Sequence, residues 1–352
     1  MSQNLTDYFI NIYPILCENA SRKPLKFLES KESFVDICRL ITLISLPFQL
    51  FAFFCILKKT PKSMESVKSS LLNLNFWYTI CGIYYSFFST PYFFYPVMAG
   101  FFDGILSSVG ISNAFQCFLQ TATSFAMVMS FLILFENRST LIVNNIFRFQ
   151  NNSTRNLWLF LNIFGCMALM VPIFLNFPNP DDARMVLLKT FPCPPEYFFT
   201  ENIMVYPLEG FWKLYTSAMN LFINGVLLFQ NFFFAVCCLY YLFHSKSSQV
   251  SSETRRLQIR SLFGIFLQIT IPISMLLIPM ISLTDYTKQE EFDQAKNNLT
   301  YLPVILHKGI ASFCILFVHF PYRNFLVSMI FCKKPNDNKI VNVSSSASVM
   351  RL

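Results

Sequence analysis

The sequence predicts an all-α membrane protein: a bundle of seven transmembrane helices, with the N-terminus outside, the C-terminus in the cytoplasm and a short amphipathic helix after the seventh span. Of the 352 residues, 54% are hydrophobic and only 13% are charged, whereas soluble domains carry about 25% charged residues. Seven apolar stretches are long enough to cross a hydrocarbon core of about 30 Å as helices. The Lys and Arg residues are distributed unevenly between the connecting segments, which indicates an orientation.

The seven spans are expected to be helical, since lipid offers backbone groups no hydrogen-bond partner outside the segment. Residues 1–30 lack the apolar core of a signal peptide, so the first span is expected to act as the anchor. A short link around 99–103 separates the second and third spans. We place the spans at Val35–Leu57, Ser69–Tyr95, Ile105–Phe135, Leu157–Phe177, Leu214–Phe243, Ser261–Leu283 and Tyr301–Phe320. Prolines that are expected to kink them are Pro47, Pro91, Pro172, Pro272 and Pro279.

The basic residues set the orientation. Of the 27 Lys and Arg residues, 16 follow the first, third and fifth spans or lie in the C-terminal tail, which the positive-inside rule places in the cytoplasm. The chain then divides into an extracellular segment (1–34), a seven-helix domain (35–331) and a cytoplasmic tail (332–352), which we expect to be disordered. Sequons on the predicted outside are candidate glycosylation sites, namely Asn4, Asn19 and Asn298. Other sequons fall inside, so they do not decide the topology.

The composition argues against several classes of function. The 11 Cys and 3 His include no CxxC pair and no His cluster at metal-ligand spacing, so we expect no metal centre and no cofactor. An intramembrane enzyme needs catalytic groups that face each other within the spans, and the sequence has neither an H-x-x-x-H motif nor an Asp pair. The net charge of +8 follows the membrane topology, so we expect no nucleic-acid partner.

An acidic and a basic residue follow the uncharged run from Gly104 to Phe135. Glu136 and Arg138 lie at the predicted cytoplasmic end of the third span, where seven-helix receptors keep an acidic residue and an Arg. The hypothesis is a switch in which a carboxylate restrains the Arg until the sixth helix moves outward and a G protein binds. The alternative is that Arg138 anchors the helix in the cytoplasmic leaflet and Glu136 is its surface partner.

The sequence leaves the partner of Glu136 open. Residues two apart do not face each other on a helix, so a direct bond requires Arg138 to curl back at the helix end. Otherwise Arg138 needs a partner on the sixth helix, or Glu136 pairs with the basic residues before the sixth span, which are Arg255, Arg256 and Arg260.

Six short motifs lie in order between residues 34 and 332. They are KTPK at 59–62, LLNLNFW at 71–77, TPYFFYP at 90–96, FENR at 135–138, PCPP at 192–195 and HFPYR at 319–323. Together they resemble the nematode chemoreceptors called serpentine receptor class H. The resemblance implies a rhodopsin-like G-protein-coupled chemoreceptor of the plasma membrane, in the cilia of chemosensory neurons, with a small-molecule ligand and a heterotrimeric G protein as partners. In contrast to the general rhodopsin pattern, Asn137 separates the acid from the Arg, and no Asn-Pro-x-x-Tyr ends the seventh span.

The end of the seventh span supplies further candidates for the switch. Tyr322 is expected to pack against the second and third helices in the active state, and Pro321 to allow a bend; the alternative is a helix exit at Pro321 with Arg323 anchored in the headgroups. Residues Asn324–Phe331 then predict an amphipathic helix on the membrane, through Phe325, Leu326, Met329 and Ile330. Cys332, which precedes two lysines, is a candidate for palmitoylation.

His307 and Lys308 lie about two turns into the seventh span from outside. An intramembrane charge suggests a functional site, so both are candidates for the ligand pocket; the alternative is that Lys308 extends to the outer interface. A retinal Schiff base is disfavoured because Lys308 lies too far outward from Pro321. The outer halves of the third, fifth, sixth and seventh spans are rich in aromatic residues, which suits small apolar or weakly polar ligands.

Cys193 lies in the long loop between the fourth and fifth spans, on the oxidising side. Receptors of this class usually tie this loop down with a disulfide. Cys117 is the candidate partner on the third span, but it lies about 28 Å along the helix from Glu136, which is borderline for the outer rim. Cys17, in the N-terminal segment, is the favoured alternative, and two free thiols are the remaining one.

A second class of function is a seven-helix, ligand-gated odorant channel of the kind found in insects. Those channels have the opposite topology, with a cytoplasmic N-terminus. The distribution of Lys and Arg disfavours that orientation, and mapping the location of the N-terminus separates the two classes.

Overall fold

The structure is a computed structural model that describes residues 3–17, 27–95, 97–142, 145–243 and 293–331, together with positions 259, 264, 266, 270 and 274. Within these residues, five helices are long and apolar enough to cross a membrane. They match the first, third, fourth, fifth and seventh predicted spans, after which we name them: Lys31–Lys59, Asn113–Thr140, Asn152–Leu175, Gly210–Phe243 and Gln294–Val318. The predicted sixth span, Ser261–Leu283, and the tail lie outside the described residues, apart from the isolated positions.

The second-span helix is shorter than the sequence predicts. It runs over Glu65–Ile83 after a 3-10 turn at Lys62–Met64, and it continues as a π-helical turn over Tyr84–Phe88. The predicted extension to Tyr95 is wrong because Pro91 cannot continue a helix and favours extended backbone at the residue before it. Residues that we assigned to a helix therefore form a strand.

A three-stranded antiparallel sheet, absent from the predicted fold, joins the second and third spans to the loop before the fifth. Its strands, in spatial order, are β1 (Thr90–Phe93), β2 (Ala99–Asp103) and β3 (Met204–Val205). In the register, Thr90 lies opposite Asp103 and Ala99 lies opposite Val205. The predicted link around 99–103 is thus the central strand.

The third-span helix also begins later than predicted. After β2 the chain turns at Gly104, whose φ of 141° favours glycine, and forms the separate short helix Ile105–Ser108. The long helix then starts at Asn113, where the Ser112 hydroxyl accepts a hydrogen bond from the Phe115 N–H.

The other spanning helices contain a π-helical turn, internal prolines and one close helix–helix contact. The fourth-span helix contains a π-helical turn at Leu161–Gly165 between Asn152–Phe160 and Cys166–Leu175. Pro47 and Pro172 lie inside their helices as predicted. The first-span and seventh-span helices approach closely at Gly309, where a Cβ atom would collide with the Ser45 side chain.

Two hydrophobic cores divide the molecule into a bundle and an outer cap. The bundle core includes Leu74 and Tyr78 of the second-span helix, Leu132 of the third and Ile315 of the seventh. The cap core joins the sheet to the N-terminal helix and to the loop helices Pro180–Thr190 and Tyr197–Thr200. The N-terminal helix consists of Gln3–Asp7, a π-helical turn at Tyr8–Ile12 and Tyr13–Leu16.

Large apolar side chains cover the outside of the bundle. Leu221 is 77% exposed and Phe229 is 68% exposed on the fifth-span helix. Exposure of this apolar surface to water is unfavourable in free energy, whereas lipid chains cover it favourably. The chain is accordingly a mostly α-helical membrane protein with a small sheet at one end of the bundle.

Candidate functional site

Glu136 is fully buried and binds Arg155, near the start of the fourth-span helix. Arg155 Nε donates to both carboxylate oxygens at 2.9 Å, and Nη2 donates to Oε2 at 2.6 Å. Thr140 Oγ1 also donates to Glu136 Oε1, at 2.9 Å. This forked geometry is the one in which Arg binds a carboxylate most strongly. The expected direct pair of Glu136 with Arg138 does not form, because residues two apart point to different faces of a helix.

Asn137, between the two charged residues, binds the second-span helix. Its Nδ2 donates to the Ser66 carbonyl oxygen at 2.8 Å and to Ser70 Oγ at 3.0 Å. The alternative partners of Glu136 before the sixth span, Arg255, Arg256 and Arg260, lie outside the described residues. Glu136 and Asn137 thus fix the third-span helix to the fourth-span helix and the second-span helix at the same level of the bundle.

Arg138 points towards the fifth and seventh spans. Its Nε and Nη2 atoms are buried without a hydrogen-bond partner in the described part of the chain. The groups in its electrostatic neighbourhood are Cys238 on the fifth-span helix and His319 and Tyr322 after the seventh. Among the described residues, Arg138 therefore has unused donors, whereas both carboxylate oxygens of Glu136 accept hydrogen bonds.

Tyr322 is completely buried and binds the end of the first-span helix. Thr60 Oγ1 donates to the Ile56 carbonyl oxygen at 2.5 Å, which leaves Thr60 Oγ1 to accept from the Tyr322 hydroxyl at 2.7 Å. Pro321 occupies the first turn of the terminal helix Phe320–Ile330. Tyr322 thus lies against the end of the first-span helix, and its packing against the second and third helices in the active state stays a prediction.

The terminal helix docks on the bundle through one aromatic face. The Phe325 ring lies 6.3 Å from Phe51 and 6.0 Å from Phe54, centroid to centroid, and Lys59 Nζ lies 4.3 Å from the Phe325 centroid. Met329 is 54% exposed, which fits the predicted amphipathic character. Arg323 remains near the surface, where Nη1 donates to the Phe317 carbonyl oxygen at 3.5 Å. Cys332 lies outside the described residues.

His307 and Lys308 are both buried inside the bundle, each 1% exposed. Lys308 Nζ donates to the Val304 carbonyl oxygen at 2.5 Å and lies 4.1 Å from the centroid of the Tyr85 ring. The alternative that Lys308 extends to the outer interface is therefore wrong. Both ring nitrogens of His307 lack a hydrogen-bond partner among the described residues, and the ring lies edge-on to Tyr78 at 6.4 Å.

Polar contacts on the same helices as this pair join the first-span, second-span, third-span and seventh-span helices. Ser312 Oγ on the seventh-span helix donates to Asn75 Oδ1 at 2.9 Å, and Asn75 Nδ2 donates to the Gln49 carbonyl oxygen at 3.0 Å. The Tyr85 hydroxyl donates to the Gln120 carbonyl oxygen of the third-span helix at 3.0 Å. These contacts hold the second-span helix in place beside His307 and Lys308.

The outer cap is closed by a disulfide between Cys17 and Cys193, with Cα atoms 5.5 Å apart. Tyr13 and Tyr8 donate to the Pro194 and Pro192 carbonyl oxygens at 2.7 and 3.0 Å. Burial, with the nearby carboxylate of Glu196, raises the pKa of Tyr13, so this phenol remains a donor.

Cys117, the alternative partner, is a buried free thiol. Its Sγ lies 3.1 Å from the Tyr206 hydroxyl, in a small core with Phe102 and Met204. The sequon at Asn4 is exposed, whereas Asn298 is 2% exposed and donates to the Leu28 carbonyl oxygen at 2.7 Å. Asn298 is therefore a poor glycan acceptor in the folded chain, and Asn19 lies outside the described residues.

A cleft of about 600 Å³ opens in the outer cap beside Phe9 and Phe199. The charged groups on its wall are already paired, since Arg184 Nη1 lies 3.2 Å from Asp181 and Lys31 Nζ lies 2.7 Å from Glu201. In the described ranges, no three His, Cys, Asp or Glu side chains come together as a metal site.

Sequence reasoning missed Arg155, Thr60 and Tyr85. A usable signal existed for Arg155 alone, because a buried Glu136 needs a cation within reach and the loop after the third span carries only Arg148 and Arg155 beyond Arg138. Thr60 and Tyr85 act through tertiary contacts that no local pattern indicates.

Comparison with known proteins agrees with this architecture. A family model described as serpentine type 7TM GPCR chemoreceptor Srh matches residues 29–332. The chain is 38% identical to Serpentine receptor class H-72 of Caenorhabditis elegans over 345 residues, which cover 98% of this chain and 97% of that protein.

Proposed function

Because the chain belongs to the Srh family of serpentine seven-transmembrane chemoreceptors, we propose that it detects a small molecule and signals through a heterotrimeric G protein. The receptor lies in the plasma membrane of chemosensory neurons, in the cilia, with its N-terminus outside and its C-terminus in the cytoplasm. The ligand binds within the bundle near His307 and Lys308, and the G protein binds at the opposite end, near Arg138.

The observation that carries this proposal is the contrast between Glu136 and Arg138. A guanidinium whose buried Nε and Nη2 lack partners among the described residues is unfavourable until an acceptor approaches. In the proposed active state, backbone carbonyl oxygens of the G protein supply these acceptors. Cys238 on the fifth-span helix, with His319 and Tyr322 after the seventh, lies near Arg138, and in the proposed active state these elements rearrange as the site opens.

Glu136 and Arg155 hold the proposed inactive state. Their ion pair couples the third-span helix to the fourth, while Asn137 couples it to the second. A two-state receptor shifts towards signalling when a contact specific to the inactive state is lost. This role replaces the hypothesis that Glu136 restrains Arg138 directly.

The test is Arg138→Ala, expressed in cultured cells beside the wild-type receptor. A calcium-imaging screen of small molecules on the wild type first identifies an agonist. We expect Arg138→Ala to remove the agonist response per surface receptor, while surface level and agonist binding stay close to wild type. The matched control is Arg148→Ala, which removes an exposed Arg from the loop that follows the same helix and should retain signalling.

The anchor hypothesis for Arg138 predicts a different result. Loss of an anchoring charge lowers the surface level or alters the topology, but leaves the signal per receptor unchanged. A normal response per surface receptor in Arg138→Ala therefore rejects the proposed coupling role.

A further inference from the structure

Lys308 is a buried cation without a carboxylate partner in the part of the chain that the structure describes. Nearly all of its surface is covered, and no ion pair to it occurs among the described residues. The sequence limits the partners that the remaining residues can offer, because the seven predicted spans contain a single acidic residue, Asp36. Asp36 lies 3.3 Å from Arg39 and is already paired.

The groups that do contact Lys308 carry no negative charge. They are the Val304 carbonyl oxygen and the face of the Tyr85 ring, which stabilise an ammonium group only in part. The ammonium group is also buried away from water, so no hydration offsets the free-energy cost of burying its charge. Binding of an anion beside this ammonium group would therefore lower the free energy of the protein.

Polar atoms of the neighbouring residue His307 and of Tyr78, whose ring lies 6.4 Å from the His307 ring between centroids, are poorly satisfied. Both nitrogens of His307 and the hydroxyl of Tyr78 are buried without a well-formed hydrogen bond in the described part of the chain, although the backbone of Val304 and Pro303 lies near the His307 ring. Buried polar atoms are hydrogen-bonded in nearly all native structures, so orphaned ones point to a missing water or ligand. Tyr78 also lies against Phe131, at 5.9 Å between centroids, which places an apolar wall beside the polar group.

We propose that the ligand of this receptor is a small carboxylic acid whose carboxylate pairs with Lys308. His307 and Tyr78 hydrogen-bond the polar end of the acid, and its apolar remainder packs on Tyr78 and Phe131. The inference rests on the proposed ligand site within the bundle. It narrows the ligand from small molecules in general to anions with an apolar tail.

The test measures binding to the purified full-length receptor by thermal unfolding, without a G protein. The probes are straight-chain carboxylates from butanoate to octanoate and the matched primary amides, which have the same shape but no charge. The variants are Lys308→Met and, as a control, Lys296→Met, which removes an exposed lysine from the same helix.

We expect the acids to raise the unfolding temperature of the wild type and of Lys296→Met, and the amides to have little effect. Lys308→Met should lower the apparent affinity for the acids by at least about tenfold, as for loss of one partner of a buried charge pair. Amides that bind as well as acids, or no binding by any acid, overturn the inference on the wild type alone. If the acids bind as expected but evoke no signal, G-protein coupling fails and the ligand assignment stands.

Discussion

At the predicted cytoplasmic end of the third-span helix, three consecutive residues contact three different parts of the bundle. Glu136 binds Arg155 of the fourth-span helix, and Asn137 binds the second-span helix. Arg138 faces the fifth and seventh spans, and its Nε and Nη2 donors have no partner within the described ranges. This divergence follows from helix geometry, since each residue is rotated by about 100° from the one before.

The Glu136–Arg155 pair leads to a prediction at the residue scale. Glu136→Gln and Arg155→Gln should each raise basal signalling per surface receptor by about fivefold, since removal of a partly exposed ion pair shifts a two-state equilibrium by about 1 kcal/mol. The double variant should be no more active than either single variant, because both remove the same interaction. A second-messenger assay normalised to surface receptor measures all three.

Arg155→Lys is the matched control, since it keeps the charge but loses the forked geometry; its basal signal should lie between wild type and Arg155→Gln. If Glu136 restrained Arg138 instead, Arg155→Gln would leave basal signalling unchanged while Glu136→Gln raised it. That outcome would contradict the role assigned to Arg155.

The sequence identified the charged residues at this site but not their pairing. Glu136 and Arg138 stand out because they end an uncharged run. The partner of Glu136 depends on how the loop after the third span folds back, which is a tertiary property. The same holds for Tyr322, whose hydrogen bond to Thr60 joins residues 262 positions apart.

At the scale of elements, the hairpin between the second and third spans is the largest departure from the predicted fold. Hydropathy alone does not separate TPYFFYP from the helix before it, since every residue except Thr90 and the prolines is aromatic. Pro91 and the extended backbone that it favours at Thr90 decide the outcome. Strand β3 supplies the third partner from a distant loop, which no local pattern reveals.

In the described residues, one disulfide links two elements of the outer cap, the N-terminal helix and the loop before the fifth span. Cys17→Ser and Cys193→Ser should lower surface expression to a similar extent, and the double variant should be no worse. The link closes a loop of sequence separation 176, for which chain entropy gives a stabilisation on the order of a few kcal/mol. Surface labelling of an N-terminal tag measures the expression of each variant.

The control for this prediction is Cys117→Ser, which removes a buried free thiol near Tyr206 and should not reproduce the non-additive behaviour. Additive losses in Cys17→Ser and Cys193→Ser would mean that the two residues act separately. Rescue of the Cys193→Ser defect by Cys117→Ser would indicate a pairing with Cys117.

At the scale of the whole molecule, the two hydrophobic cores stabilise different parts of the structure. The cap core holds the N-terminal helix, the sheet and the loop helices together at the outer end. The bundle core packs the spanning helices between the buried His307 and Lys308 and the Glu136–Arg138 region. Packed helices thus connect a ligand beside His307 and Lys308 to the Glu136–Arg138 region. These helices are able to shift as rigid elements.

The sequence predicted this architecture well because a bilayer imposes length and apolarity on every span. Five of the spans that it placed recur as long apolar helices within the described residues. It did not predict the cap, because the cap core forms between segments that are far apart in the chain and individually short.

The orientation of the chain in the membrane is the property on which the proposed receptor rests, and a direct measurement tests it. Epitope tags are placed at the N-terminus, within 285–292 and at the C-terminus, and antibodies are applied to intact cells and to permeabilised cells. The account predicts that the first two tags are labelled on intact cells and that the C-terminal tag is labelled only after permeabilisation. Labelling of the C-terminal tag on intact cells, with an inaccessible N-terminus, would contradict the account and favour a channel of opposite topology.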